Sequence, residues 1–166
     1  MQNTILTAHN HYADQYGIDR ELLAAAYRRY HEEAIVTLQA KPFAGVQEVL
    51  ERICATGRYN YIFTHRKHGE TMAYLRKYGL DGCFRDIIGP ESACFARKPA
   101  PDAVLYLVEK YHMDPAETVM VGDRECDLGS GRNAGIQTAH LMCAIAPETL
   151  ECDWRLDDFG QMLALL

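Results

Sequence analysis

The chain has 166 residues, of which 48% are hydrophobic, and this suits one domain with a sizeable core. Its 17 basic and 23 acidic residues give a net charge of −6, which argues against a nucleic-acid-binding protein. No apolar stretch approaches the length of a membrane span, and the first residues are too polar for a signal peptide. The six cysteines form no Cys-x-x-Cys pair, so we expect scattered thiols in a reducing cytoplasm rather than a zinc site or a disulfide framework.

Helical periodicity opens the chain, and an alternation of helix and strand patterns follows it. One helix is expected over residues 3–16, and a second one, which Asp19 can cap, ends before Lys41-Pro42. Further helices are expected at 43–56, 69–78, 101–112, 125–134 and 157–166, and strands at 59–63, 86–88, 118–122, 137–141 and 154–156. Short links between alternating strands and helices predict an α/β protein with a doubly wound, Rossmann-like parallel sheet.

The segment from Val119 to Gly135 is the most informative part of the chain. An apolar run ends in Gly122-Asp123, and Asp127 follows at the start of a helix rich in small residues. Two carboxylates at the carboxyl end of a buried strand can hold a hard cation such as Mg²⁺. This edge is also where open α/β sheets bind ligands. The alternative is an ordinary turn followed by a solvated aspartate.

Two upstream segments end in polar residues of the same kind. The aromatic strand at 59–63 opens into Thr64, His65 and Arg66, and a later loop places Lys98 directly before a pair of closely spaced prolines. Each has a simpler alternative: Thr64 can be a β-branched residue at a strand end, and Lys98 can be a solvated loop charge.

Together the three segments resemble the second, third and fourth motifs of the haloacid dehalogenase (HAD) superfamily of phosphatases and related hydrolases. Thr64 matches the strand-end threonine, Lys98 stands in Lys-Pro-x-Pro-Asp, and Asp123 and Asp127 stand in Gly-Asp-x-x-x-Asp. The sequence that closes on Gly135 is typical of the phosphoglycolate-phosphatase-like branch. The resemblance covers about residues 41–166, and any one of these motifs alone would be a weak signal.

The resemblance implies Mg²⁺-dependent hydrolysis of a small phosphorylated metabolite through an aspartyl-phosphate. The hydroxyl of Thr64 would donate to the phosphate, and the ammonium of Lys98 would neutralise the phosphate and the nucleophile. The residues so implied are Thr64 and Lys98 as catalytic and phosphate-binding groups, His65 and Arg66 as further phosphate ligands, and Asp123 and Asp127 as metal ligands. The polarity of a helix start explains His65 and Arg66 equally well.

The chain departs from the family at the first motif, Asp-x-Asp-Gly-Thr, whose first aspartate is the nucleophile and which does not occur in this sequence. We therefore expect a truncated product or a misassigned start, without hydrolytic activity in the chain as given. The family places the missing strand in the middle of its sheet. We expect the strands at 59–63 and 118–122 to close onto each other, because closure pairs their backbones at the least entropic cost. The other two outcomes are occupation of the gap by another segment or copy, and poor solubility. The alternative is a short pseudo-enzyme with a rearranged sheet.

Residues 1–40 are interpreted as a small version of the family's helical cap and residues 41–166 as the α/β core, the alternative being two ordinary packing helices. Two other protein classes stay open. A non-catalytic HAD-like binding or scaffold domain would keep Lys98 and Asp123 without turnover. A phospho-receiver domain also combines Asp, Thr and Lys on such a sheet, but its acidic cluster comes early in the chain, whereas both acids here follow Lys98.

Overall fold

The computed structural model describes residues 5–37, 41–92, 95–142 and 150–165, which divide into two compact units, Met1–Lys41 and Pro42–Leu166. The first unit contains helices α1 (Ile5–Tyr16) and α2 (Arg20–Thr37). The carboxylate of Asp19 accepts the N–H groups of Glu21 and Leu22, each at 2.9 Å, so the predicted cap of the second helix is confirmed. Residues 3 and 4 of the first predicted helix lie outside the described residues.

The second unit alternates strands and helices in the predicted order. Its helices are α3 (Val46–Ala55), α4 (His68–Lys77), α5 (Asp102–Tyr111) and α6 (Glu125–Asn133), and its strands are β1 (Asn60–Phe63), β2 (Phe84–Ile88), β3 (Val119–Gly122), β4 (Gln137–Leu141) and β5 (Trp154–Leu156). The last predicted helix is instead a 3₁₀ helix, Phe159–Leu165. In the part of the chain that the structure describes, no helix has both the length and the apolar composition that a membrane crossing requires.

All three strand pairings are parallel, which confirms the predicted α/β architecture, but the strands form two sheets rather than one. Strand β1 pairs with β2, and β4 lies between β3 and β5. Strands β1 and β3 do not pair with each other, so the expected closure is wrong. Every residue of these two strands is only half-buried, whereas four of the five residues of β4 are buried. Among the described residues, β1 and β3 therefore each keep one edge without a strand partner.

Helix α3 supplies a physical reason why the two sheets stay apart. Val49 is fully buried in a core that it shares with Ala139 of β4, whereas the next residue, Leu50, is buried in a separate core with Leu75 of α4. One helix thus packs into the cores of both sheets. Moving β1 onto β3 would withdraw α3 from one of the two cores. Emptying a core site in this way lowers the stability of the fold by several kcal/mol.

Helix α6 covers the opposite face of β3 and β4 at very close range. A Cβ atom at Gly131 would lie 2.7 Å from Met120 Cβ and 2.9 Å from Thr138 Cγ2, so only glycine permits this approach. Side chains alternate between the faces of a strand, so His140 lies on the same face of β4 as Thr138. The side chain of His140 therefore lies on the face of the sheet that α6 covers.

His140 is fully buried, and neither of its ring nitrogens has a hydrogen-bond partner among the described residues. A buried polar group without a partner costs about 1–3 kcal/mol. We expect His140→Leu to raise the Tm, by about 2–4 °C for each kcal/mol relieved, which thermal unfolding followed by circular dichroism would measure.

The matched control is Thr138→Val, which removes a hydroxyl that bonds to Asp153 Oδ2 at 2.8 Å on the same face of β4. This variant should lower the Tm. A fall in Tm for His140→Leu as large as that for Thr138→Val would show that the imidazole stabilises the fold through interactions that the structure does not contain.

Candidate active site

Thr64 continues the edge of the first sheet beyond β1. Its N–H donates to Ile88 O at 2.9 Å, which extends the pairing with β2 by one step. Its hydroxyl oxygen accepts the Arg66 N–H at 3.1 Å and so tightens the turn that follows the strand. A hydroxyl that accepts in this way still has its own hydrogen to donate. Thr64 is thus a fixed donor at the carboxyl edge of the sheet.

Lys98 joins the ends of the two sheets. Its Nζ donates to Phe63 O at 2.6 Å, at the end of β1, and to Asp127 Oδ1 at 2.8 Å, in the first turn of α6. The side chains of Lys98 and Asp127 are only 8% and 7% exposed, so Lys98 is not a solvated loop charge. The ammonium also lies 4.6 Å from the centroid of the Phe63 ring. The result is a buried positive charge at the sheet edge.

The two predicted metal ligands both lie near Arg124, and Gly122 leaves room for one of them, Asp127. A Cβ atom at Gly122 would lie 2.2 Å from Asp127 Cβ, so any side chain there would displace Asp127. Arg124 Nε lies 3.7 Å from Asp123 Oδ1 and 3.7 Å from Asp127 Oδ2. Both carboxylates therefore converge on one cationic group, with Asp123 the more exposed of the two.

The donor atoms at this edge suit a hard cation. Carboxylate oxygens are the side-chain ligands that Mg²⁺ prefers, and Mg²⁺ keeps several waters where protein ligands are few. Within residues 5–37, 41–92, 95–142 and 150–165, no group of three or more His, Cys, Asp or Glu side chains could hold a metal ion. Asp123 and Asp127 thus offer oxygen donors of the kind that Mg²⁺ prefers, and Oδ1 of Asp127 is already bonded to Lys98.

His65 contacts the lysine loop, whereas Arg66 does not. His65 Nε2 accepts the backbone N–H of Lys98 at 3.2 Å, and the imidazole stands edge-on to the Phe63 ring with 6.0 Å between centroids. The described contacts do not join the exposed Arg66 side chain to Lys98 or to either carboxylate. Of the four predicted phosphate ligands, the structure therefore gathers the side chains of Thr64, His65 and Lys98 at one edge.

Two participants were missed by the sequence analysis. Phe63 acts through its carbonyl oxygen and its ring face, and no side-chain pattern marks such a role. Arg124 was detectable, because it lies directly between two acidic positions at the start of a helix, where a basic residue pairs readily with both. Its guanidinium adds positive charge to the exposed side of the site.

The parallel α/β core thus brings a strand-end threonine, a buried lysine and two carboxylates to one edge, the edge at which open α/β sheets bind ligands. The sequence profile of the haloacid dehalogenase-like hydrolase family matches residues 2–141, and the chain belongs to this family. The family resemblance of the motifs is thereby confirmed.

Individual relatives agree with this assignment. The chain is 29% identical over 128 residues to the phosphoglycolate phosphatase of Haemophilus influenzae, and the aligned region makes up 75% of this chain and 57% of that protein. It is 31% identical over 128 residues to the pyrophosphatase PpaX of Halalkalibacterium halodurans, and the aligned region makes up 77% of this chain and 59% of that protein. The crystal structure of a phosphoglycolate-phosphatase-like protein from Haemophilus somnus shares the fold, with a TM-score of 0.82 at 23% identity, over 96% of this chain and 74% of that one. The chain thus spans less than two thirds of the length of the first two relatives.

Proposed function

We propose that this chain carries the phosphate-binding and metal-binding part of a HAD-type phosphomonoester hydrolase site. The observation that supports this most directly is the buried ammonium of Lys98, held between Phe63 O and Asp127 Oδ1. Preorganised positive charge in a site largely shielded from water is what stabilises a transferring phosphoryl group. The substrate class is a small phosphorylated metabolite, in keeping with the phosphatase and pyrophosphatase relatives.

Each residue has a distinct part in this proposal. Thr64 donates its hydroxyl to a phosphate oxygen, and Lys98 neutralises a second oxygen from the loop before α5. Asp123 and Asp127 would hold Mg²⁺, which when bound supplies further neutralisation of the phosphoryl charge. A role for Arg66 in phosphate binding stays a prediction. The family's nucleophile motif does not occur among the 166 residues, so the chain as given is proposed to bind phosphate without turning it over.

The remaining proposals concern the surroundings of the site. Residues 1–40 are proposed as a small version of the family's helical cap. The described cysteines Cys54, Cys83, Cys126 and Cys152 are free thiols, which fits a reducing cytoplasm. No nucleic-acid or membrane partner is proposed for this acidic chain.

A non-catalytic phosphate-binding or scaffold domain is the second candidate function. The ion pair between Lys98 and Asp127 favours it, because the lysine already has a charged partner within the chain. Membership of the HAD-like family removes the phospho-receiver alternative.

The test compares the 166-residue chain with a version extended at its N-terminus by an apolar strand that ends in Asp-x-Asp-Gly-Thr. The short chain should hydrolyse p-nitrophenyl phosphate no faster than buffer and bind Mg²⁺ only at about millimolar concentrations or above, because two carboxylates leave most of its coordination to water. The extended chain should show Mg²⁺-dependent hydrolysis, measured by release of nitrophenol.

Two substitutions in the extended chain serve as a matched pair. Lys98→Met should abolish hydrolysis, whereas Lys67→Met, at an exposed position before α4, should leave it unchanged. Turnover by the short chain would overturn the proposed dependence on an added nucleophile. Binding of inorganic phosphate by a folded but inactive extended chain would instead support the scaffold alternative.

A further inference from the structure

Lys98 is held by the end of β1 at two places, its ammonium and its backbone. Phe63 provides the carbonyl oxygen for Nζ at 2.6 Å and the ring below it. Two residues further on, His65 Nε2 accepts the Lys98 N–H at 3.2 Å. The second contact joins two loops that lie 33 residues apart in sequence, one after β1 and one before α5.

The acceptor role of His65 requires a neutral imidazole. Nε2 can accept the Lys98 N–H only when it carries no hydrogen, which places the single ring hydrogen on Nδ1. Partial burial comes first among the causes that lower the pKa of His65. The charges that act on the ring are Lys98 and Arg97 from the facing loop, with Asp127 and Arg124 from the α6 side, three cations against one carboxylate. Burial and charge together favour the neutral ring.

We infer that His65 is a positioning residue, whose Nε2 anchors the backbone of Lys98 so that the ammonium reaches Phe63 O and Asp127. The family resemblance had implied a phosphate ligand at this position. A nitrogen that accepts from Lys98 has no hydrogen to give to a phosphate, so the same ring atom cannot serve both purposes. The inference rests on the proposed function only in treating Lys98 as the phosphate-binding cation.

Protonation of His65 would break the anchor. Nε2 would become a donor that faces the Lys98 N–H donor, and a third positive charge would lie beside Lys98 and Arg97. Because the pKa of His65 is lowered in the folded chain, the unfolded chain takes up the proton more readily. The contribution of the anchor to stability is therefore complete above the ordinary histidine pKa of about 6.5, and it is lost as the pH falls below that value.

The experiment follows the Lys98 amide in the ¹⁵N-labelled 166-residue chain by NMR between pH 5 and pH 8. Its protection factor against hydrogen exchange should be highest above pH 7 and fall at low pH. His65→Leu removes the acceptor and should lower this factor roughly fivefold at pH 7.5, the equivalent of one ordinary hydrogen bond. His65→Gln keeps an acceptor oxygen in a similar place, so protection should persist and no longer depend on pH in this range.

The matched control is His11→Leu, at an exposed histidine in α1, which should leave the Lys98 profile unchanged. Equal protection of the Lys98 amide in the wild-type chain and in His65→Leu would overturn the inference, as would a pH dependence that survives in His65→Gln. If His65→Leu does not fold, the wild-type and His65→Gln titrations decide the question by themselves.

Titration with inorganic phosphate separates this inference from the proposed function. Loss of phosphate affinity in His65→Gln with full Lys98 protection would make His65 a ligand and refute its positioning role. Failure of the wild-type chain to bind phosphate would count against the proposed function. Protection of the Lys98 amide that depends on His65 would still support the positioning role of His65.

Discussion

Replacing Asp127 by Asn should lower the free energy of unfolding by about 3 kcal/mol, because it leaves the buried ammonium of Lys98 without its charged partner. Phe63 O remains as an acceptor, but a carbonyl dipole does not compensate a full charge that is only 8% exposed. Urea unfolding followed by circular dichroism gives the change directly, provided that the m-value stays constant. The effect would be a large fraction of the stability of an ordinary domain.

The matched control is Asp81→Asn, which breaks an exposed ion pair with Arg76 in the same unit. Exposed pairs contribute about 0–1 kcal/mol, so this variant should unfold almost like the wild type. The double variant Lys98→Met/Asp127→Asn removes the stranded charge and should recover most of the loss. Equal effects of Asp127→Asn and Asp81→Asn would mean that the Lys98 charge is solvated, which would contradict the buried site described above.

The same ion pair limits the binding chemistry of the site. Lys98 is the proposed phosphate cation and Asp127 a proposed Mg²⁺ ligand, yet each is already the other's partner at 2.8 Å. A phosphate and a metal ion must therefore replace an existing interaction rather than fill independent positions. This competition is a physical reason to expect weak Mg²⁺ binding by the chain as given.

Local patterns in the sequence predicted the order of helices and strands because each pattern depends only on residues within its own segment. The spacing of apolar residues in α3 marked a helix face, and Asp19 marked a helix start through its side-chain oxygen. The motif residues Thr64, Lys98 and Asp127 could also be assigned to one edge, since the carboxyl ends of parallel strands lie together.

The pairing of strands could not be predicted in the same way, because it depends on contacts between distant segments. The expected closure weighed only the unpaired backbone of β1 and β3. It left out α3, whose adjacent residues Val49 and Leu50 enter two separate cores. The His65 anchor is hidden for a related reason: its partner is a backbone N–H, which every residue except proline has, so no residue type indicates it.

The two open edges should be visible in backbone hydrogen exchange. Thr64 donates to Ile88 O, and in a parallel pair alternate residues bond to the same neighbour, so the backbone polar groups of Phe63 point away from β2. The contact between Phe63 O and Lys98 Nζ agrees with this direction. Thr118 O accepts from Gln137 N of β4, so by the same alternation Val119 and Val121 point away from β4.

We expect a parallel strand supplied by the N-terminal extension to pair with both edges and raise the Tm by about 10 °C, since it adds backbone hydrogen bonds and apolar contacts to both sheets. The amides of Phe63, Val119 and Val121 should exchange quickly in the short chain and become protected in the extended one. Those of Ile62 and Met120, which face existing strands, should change little.

The control is the same extension with proline at the strand centre, which cannot donate to the ladder and should give a much smaller gain in Tm. If the extension protects none of the three edge amides and does not change the Tm, then β1 and β3 do not border a gap of one strand's width, and the proposed restoration of activity by an added strand loses its structural basis.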